Sequence, residues 1–112
     1  MLHLSGMVPE ITCQELKSKL DENTPLIVVD VREEFERDIS AIEGSIHIPL
    51  GELADRINEL DPNQSYVMQC RSGGRSARAT DILLASGFKK VQNLVGGINQ
   101  WAIEVDTSMS LY

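Results

Sequence analysis

The amino-acid sequence predicts a single α/β domain built around a mostly parallel sheet. Three observations carry that expectation. Short apolar runs alternate with helical patterns along the whole chain, as in a parallel sheet joined by crossover helices. One run, "LIVVDV" at 26–31, is apolar almost throughout, as a strand covered on both faces must be. The length of 112 residues suits one compact domain and leaves little room for a second.

Each element can be justified in turn. "EITCQELKSKL" (10–20) opens as a short strand and passes into a helix. Thr12 and Glu15 are spaced as a capping box, in which the hydroxyl accepts from the backbone three residues on and the carboxylate reaches back. Cys13, Leu16 and Leu20 then share one face. "REEFERDI" (32–39) predicts a short acidic helix with Phe35 and Ile39 inward. "SIHIPL" (45–50) is a short strand ending at Pro49, and "LGELADRINEL" (50–60) sets Leu50, Leu53, Ile57 and Leu60 at helical spacing. "DPNQ" breaks the chain, and "SYVMQ" (65–69) is a strand that runs directly into Cys70. "RSARATDILLAS" (75–86) is a helix stopped by Gly87, a natural residue just past a helix end. "KVQNL" (90–94) is the last strand, and "GGINQWAIEV" (96–105) gives a glycine turn and a closing helix with Ile98, Trp101 and Val105 inward. The tail "DTSMSLY" has no clear pattern. The domain is expected over 9–106, with 1–8 as a tail or linker and 107–112 as a second tail.

Composition narrows the function classes. Aromatic residues make up only 4% of the chain, so Val, Ile and Leu must fill most of the core. A net charge of −7 argues against nucleic acid or an anionic membrane surface as partner, since both reward a basic face. Two cysteines are too few for a disulfide scaffold and fit a reducing compartment, so a cytoplasmic location is expected. No apolar run is long enough to span a bilayer. "MLHLSGMV" is too short, and lacks the basic flank, for a signal peptide.

The acidic chain nevertheless crowds three arginines behind one cysteine in "CRSGGRSARA" (70–79). Cys70 ends a strand and a helix begins about five residues later, the place where open parallel sheets bind ligands. Gly73 and Gly74 tolerate positive φ and let the chain curl tightly. Successive inward N–H groups make an anion-binding nest, and the helix N-terminus adds its own. A sulfur at the centre of such a ring is favoured as thiolate, the nucleophilic form. Arg75 and Arg78 fall near the first helical turn, where a cation opposes the dipole by a few tenths of a kcal/mol to about 1 kcal/mol. An anion arriving at the same spot accounts for them. Arg71 adds charge, and Ser72 and Ser76 can add hydroxyl donors. A lone cysteine after a strand is commonly a buried small hydrophobe, but the glycines, arginines and helix together favour a nucleophile.

Other candidates carry less. Cys13 lies on the apolar stripe of its helix and is expected to pack in the core rather than to form a redox pair with Cys70. His3 and His47 form no cluster with metal-ligand spacing, so no zinc site is indicated. His47, between Ile46 and Ile48, is expected to face solvent. Asp30 is expected to pair with an arginine or cap a turn. Glu33, Glu34 and Glu36 are expected to form a solvated helix face, or to meet a basic partner.

Four segments in order resemble the rhodanese-type sulfurtransferase domain. "LIVVDVREEFE" is similar to the family's strand ending in Asp-x-Arg-Glu before an aromatic residue, and "AIEGSIHIP" to its Ile-x-Gly-Ala-x-x-Ile-Pro segment. "CRSGGRSARA" resembles the active loop and "LVGGINQW" the closing Gly-Gly-x-x-x-Trp. Ala41 stands where His is common and Ser45 where Ala is common, both outside the loop. The resemblance implies a three-layer α/β/α rhodanese fold on a mainly parallel five-stranded sheet. It implies that Cys70 takes a sulfane sulfur from thiosulfate or from a cysteine desulfurase persulfide, and passes it to a second nucleophile. Residues 71 to 76 (Arg71, Ser72, Gly73, Gly74, Arg75 and Ser76) would bind substrate, with Arg71 and Arg75 attracting the anionic donor; no cofactor or metal is implied. The tail "GGINQWAIEVDTSMSLY" is similar to the end of the adenylyltransferase–sulfurtransferase proteins of molybdopterin and thiamine sulfur transfer. That implies a ubiquitin-like sulfur carrier as acceptor and an adenylyltransferase domain in a longer parent chain, unless this is a free-standing relative. Two alternatives stay open. Phosphatases and arsenate reductases of related fold carry Cys-x5-Arg, whereas four residues separate Cys70 from Arg75 here, with Ser76 at the next place. An inactive binding module is the other.

Overall fold

Strand and helix alternate through residues 8–112, the part of the chain that the computed structural model describes. His3 lies outside it. In chain order the elements are β1 (Glu10–Ile11), α1 (Cys13–Asp21), β2 (Ile27–Asp30), α2 (Glu34–Ile39), β3 (Ile46–His47), α3 (Leu50–Arg56), β4 (Ser65–Gln69), α4 (Gly74–Ala85), β5 (Lys90–Leu94) and α5 (Gly97–Glu104). The sheet order is β1-β5-β4-β2-β3, and every pairing is parallel. Side chains alternate across the strands. Val28, Val67 and Leu94 pack with Leu16 of α1 and with Ile98 and Trp101 of α5. Val29, Tyr66, Met68 and Val91 pack on the other face with Leu53 of α3 and with Ala79 and Leu83 of α4. This is the expected three-layer, five-stranded arrangement, and it sets Cys70 at the carboxyl end of a central strand.

The local signals act as predicted. The Thr12 hydroxyl accepts from the Glu15 N–H at 3.1 Å, and the Glu15 carboxylate accepts from the Thr12 N–H at 2.9 Å. Cys13 is buried, its thiol directed at the Val95 carbonyl at 3.7 Å. Burial, helped by the charge of Glu104, pushes that thiol up to about 11. Cys13 is a packing residue, as expected.

Three expectations need correction. Phe35 and Ile39 are 67% and 44% exposed, and the residue that α2 turns inward is Glu36. Adjacent helical positions lie about 100° apart, so burying Glu36 carries Phe35 outward. Glu36 therefore leaves the solvated acidic face. His47 is half-buried rather than solvent-facing, with Nε2 2.7 Å from the Arg32 carbonyl oxygen.

A buried ion pair explains the Asp-x-Arg-Glu segment. Asp30 and Arg32 are fully buried. The Arg32 Nε and Nη2 donate to the two carboxylate oxygens of Asp30 at 3.0 and 2.8 Å. Nη2 also donates to the Ser40 carbonyl at 2.6 Å, and Nη1 to the Glu36 carbonyl and the Tyr112 hydroxyl at 3.2 and 2.8 Å. All five guanidinium N–H donors are thereby used. Removing one partner of such a pair leaves an uncompensated buried charge. Arg32→Met is expected to lower stability by about 3–5 kcal/mol in urea denaturation.

Candidate active site

β4 ends at Gln69 and α4 begins at Gly74, so the chain has four residues, Cys70 to Gly73, in which to reverse. Gly73 takes φ +119°, a value that L side chains rarely adopt. Gly74 does not share this; it starts α4 in open space, so only one of the two glycines is required by backbone conformation. The turn at Gly73 aims donors at the sulfur. Cys70 Sγ lies 3.1 Å from the Gly73 nitrogen, 3.4 Å from the Ser76 nitrogen and 3.2 Å from the Ser76 hydroxyl. The same hydroxyl lies 2.5 Å from the Asn93 side-chain oxygen. It has one proton to give, so it donates to the amide or to the sulfur and not to both. Asn93 fixes the other side of the turn by donating to the Gly73 carbonyl at 3.1 Å.

The first carbonyls of the loop are bound from the other side. The Ile98 N–H donates to the Cys70 carbonyl at 2.9 Å, and the Asn99 N–H to the Arg71 carbonyl at 3.2 Å. The N-terminus of α5 thus sits directly on the loop. This approach explains the Gly-Gly turn. A Cβ at Gly97 would fall 2.4 Å from the Arg71 carbonyl oxygen and 2.6 Å from that of Cys70. Gly97 and Asn93 act on the loop, yet local sequence marked neither for that task; the only signal was a glycine pair ahead of a helix.

The arginines are engaged rather than free. Arg75 donates through Nη1 and Nη2 to the two oxygens of Glu36, at 2.6 and 2.8 Å. Glu36 also accepts from the Glu33 N–H at 2.9 Å and the Tyr112 hydroxyl at 3.0 Å. The Arg75 guanidinium, with those further donors, holds the Glu36 carboxyl at about 2 in spite of burial. Arg71 lies 4.8 Å from the centre of the Tyr112 ring and donates to the Tyr112 main-chain oxygen. The structure thus brings Cys70, Gly73 and Ser76 together and sets Arg71 and Arg75 on the flanks, each already held by a neighbour. Ser72, Gly74 and Arg78 instead line a cavity of about 550 Å³ beside the loop. Glu36 and Tyr112 were missed as site residues. Among the described residues, no group of three His, Cys, Asp or Glu is gathered as a metal ion needs, and no helix is long and apolar enough to cross a membrane.

A cysteine cradled by backbone N–H groups at the carboxyl end of a parallel strand defines a cysteine-loop α/β domain. Residues 12–104 match the rhodanese-like domain, and the chain belongs to that family. It is 43% identical to the candidate sulfur carrier protein YrkF of Bacillus subtilis, over 87% of this chain and 52% of that one. It is 33% identical to a sulfurtransferase of Allochromatium vinosum, over 86% of this chain and 90% of that one. Identity to the adenylyltransferase and sulfurtransferase MOCS3-1 of Zea mays is 31%, over 96% of this chain and 25% of that protein. The chain therefore spans about half of YrkF and a quarter of MOCS3-1. Among solved structures, a rhodanese-like domain protein of Staphylococcus aureus superposes with a TM-score of 0.80 at 33% identity, covering 93% of this chain and 98% of that one. The Allochromatium and Zea relatives are named sulfurtransferases, and YrkF is named a sulfur carrier.

Two outcomes follow from the geometry. Gly97→Ala meets backbone on one side and an unfavourable φ of +62° on the other. It is expected to cost roughly 2–4 kcal/mol in chemical denaturation. The second concerns pH. A carboxyl held below its unfolded value contributes stability above that value and loses it as pH falls through the folded one. For Glu36 the window runs from 4.5 down to about 2. Wild type is expected to exceed Glu36→Gln in stability at pH 6, and the gap to close across that window in acid denaturation.

Proposed function

We propose that this domain is a sulfurtransferase that carries sulfur as a persulfide on Cys70. The observation that carries the reading is the convergence of the Gly73 N–H, the Ser76 N–H and the Ser76 hydroxyl on one sulfur. Such donors stabilise a thiolate and, after reaction, a persulfide anion in a site closed to bulk water. With thiosulfate as donor, the Cys70 thiolate attacks the outer sulfur. A new S–S bond forms, the S–S bond of thiosulfate breaks, and sulfite leaves with the electron pair. A second nucleophile then takes the outer sulfur and returns Cys70 to thiolate, which is thiol exchange in kind.

A protein persulfide, as on a cysteine desulfurase, can donate by the same displacement. The likeness to MOCS3-1, named an adenylyltransferase and sulfurtransferase, supports an adenylyltransferase domain in a longer parent protein, and the acceptor we propose is a ubiquitin-like sulfur carrier. The loop residues 71 to 76 would hold the donor, with Arg71 as its principal cation once Tyr112 is displaced from it, since Arg75 is held bidentately by Glu36. That pairing also weakens the phosphatase reading, which would need Arg75 for phosphate. Both cysteines are free, which suits a reducing compartment such as the cytoplasm.

The test is intact mass after the reduced protein meets thiosulfate or a persulfide-loaded cysteine desulfurase. Wild type is expected to gain one sulfur atom that a thiol removes, and Cys70→Ser to gain none. A wild-type chain that gains nothing from either donor, or a serine variant that loads as well, would sink the reading.

A further inference from the structure

The tail beyond α5 folds back to the loop. The Asp106 carboxylate accepts from the Ser108 N–H at 3.1 Å, and Val105 and Met109 pack on the core between α1 and α5. This route brings Tyr112 to the two arginines that flank Cys70. Its ring stacks against the Arg71 guanidinium, its main-chain oxygen accepts from Arg71 and, at 3.2 Å, from Asn99 Nδ2. Its hydroxyl donates to Glu36, which in turn grips Arg75. Cys70 itself is 1% exposed.

We propose that Tyr112 is a specificity-determining residue for the sulfur donor: seated, it withholds Arg71 from small oxyanions and reserves Cys70 for a protein-borne persulfide. The inference rests on Cys70 being the persulfide carrier. Thiosulfate is a dianion approaching a thiolate, so its reaction needs a nearby cation to offset repulsion between like charges. Tyr112 occupies the face of Arg71 and one of its donors; Glu36 occupies Arg75. A persulfide on a protein brings one charge, and the surface around it supplies contact area that can displace the Tyr112 side chain from the arginines while Val105 and Met109 keep the rest of the tail on the core. A free oxyanion has no such surface.

The experiment compares the full chain with Tyr112→Ala and Tyr112→Phe. The readout is kcat/KM for sulfur uptake from thiosulfate and from a persulfide-loaded cysteine desulfurase, with kcat and KM separated for each. Tyr112→Ala is expected to lower the thiosulfate KM and to raise the thiosulfate-to-persulfide ratio of kcat/KM by about tenfold. Tyr112→Phe keeps the ring on Arg71 and loses the bonds to Glu36 and Arg32, so a rise of about threefold is expected. Thermal unfolding of all three proteins checks that the domain remains folded. A ratio unchanged or lowered in both variants, while wild type still loads sulfur, overturns the inference. Wild type that loads from neither donor overturns the sulfurtransferase reading itself, and this inference with it.

Discussion

The site depends on the contact between the N-terminus of α5 and the carbonyls of Cys70 and Arg71. Peptide groups are rigid and planar, so fixing a carbonyl fixes the orientation of the whole unit. Two carbonyls held by Ile98 and Asn99, and a third, that of Gly73, held by Asn93, pin the loop from outside. The N–H groups of Gly73 and Ser76 are left to the sulfur. Nothing larger than hydrogen fits on Gly97 at that distance. A motif from one end of the chain thus shapes a cradle built by another.

Positive charge at the loop is balanced within the domain. The chain carries −7 overall, yet Arg71 and Arg75 flank Cys70, and Arg32 and Arg37 meet at Asp30. Asp30 and Glu36 answer three of them: Asp30 binds Arg32 and Arg37, and Glu36 binds Arg75. Tyr112 joins both carboxylate systems, accepting from Arg32 and donating to Glu36. The carboxylates orient the arginines as well as neutralise them, because a bidentate guanidinium pair has fixed geometry. Arg71 has the tyrosine ring in that place.

Much of this was legible in the sequence, and the unreadable part has one cause. The alternation of strand and helix, the Thr12–Glu15 box, the strand running into Cys70 and the stop at Gly87 all depend on neighbours in sequence. Glu36 and Tyr112 depend on partners 39 and 41 residues away, Arg75 and Arg71. Helical periodicity put Phe35 inward because burial of an aromatic is the usual outcome; a carboxylate paired with Arg75 reversed it. The glycine pair in the loop announced a tight turn without telling which glycine takes the positive φ. Gly73 takes it, and its carbonyl accepts from Asn93 of the next strand.

Cys13 gives the molecule a further property. With its thiol near 11, roughly one copy in 10⁴ is ionised at neutral pH. Electrophiles and peroxides react with thiolates, so the second thiol in this chain is almost invisible to them. A protein that handles reactive sulfur beside a buried thiol would otherwise court an internal cross-link or a misplaced label. The apolar seat of Cys13 keeps the count of reactive thiols low without sacrificing a core side chain.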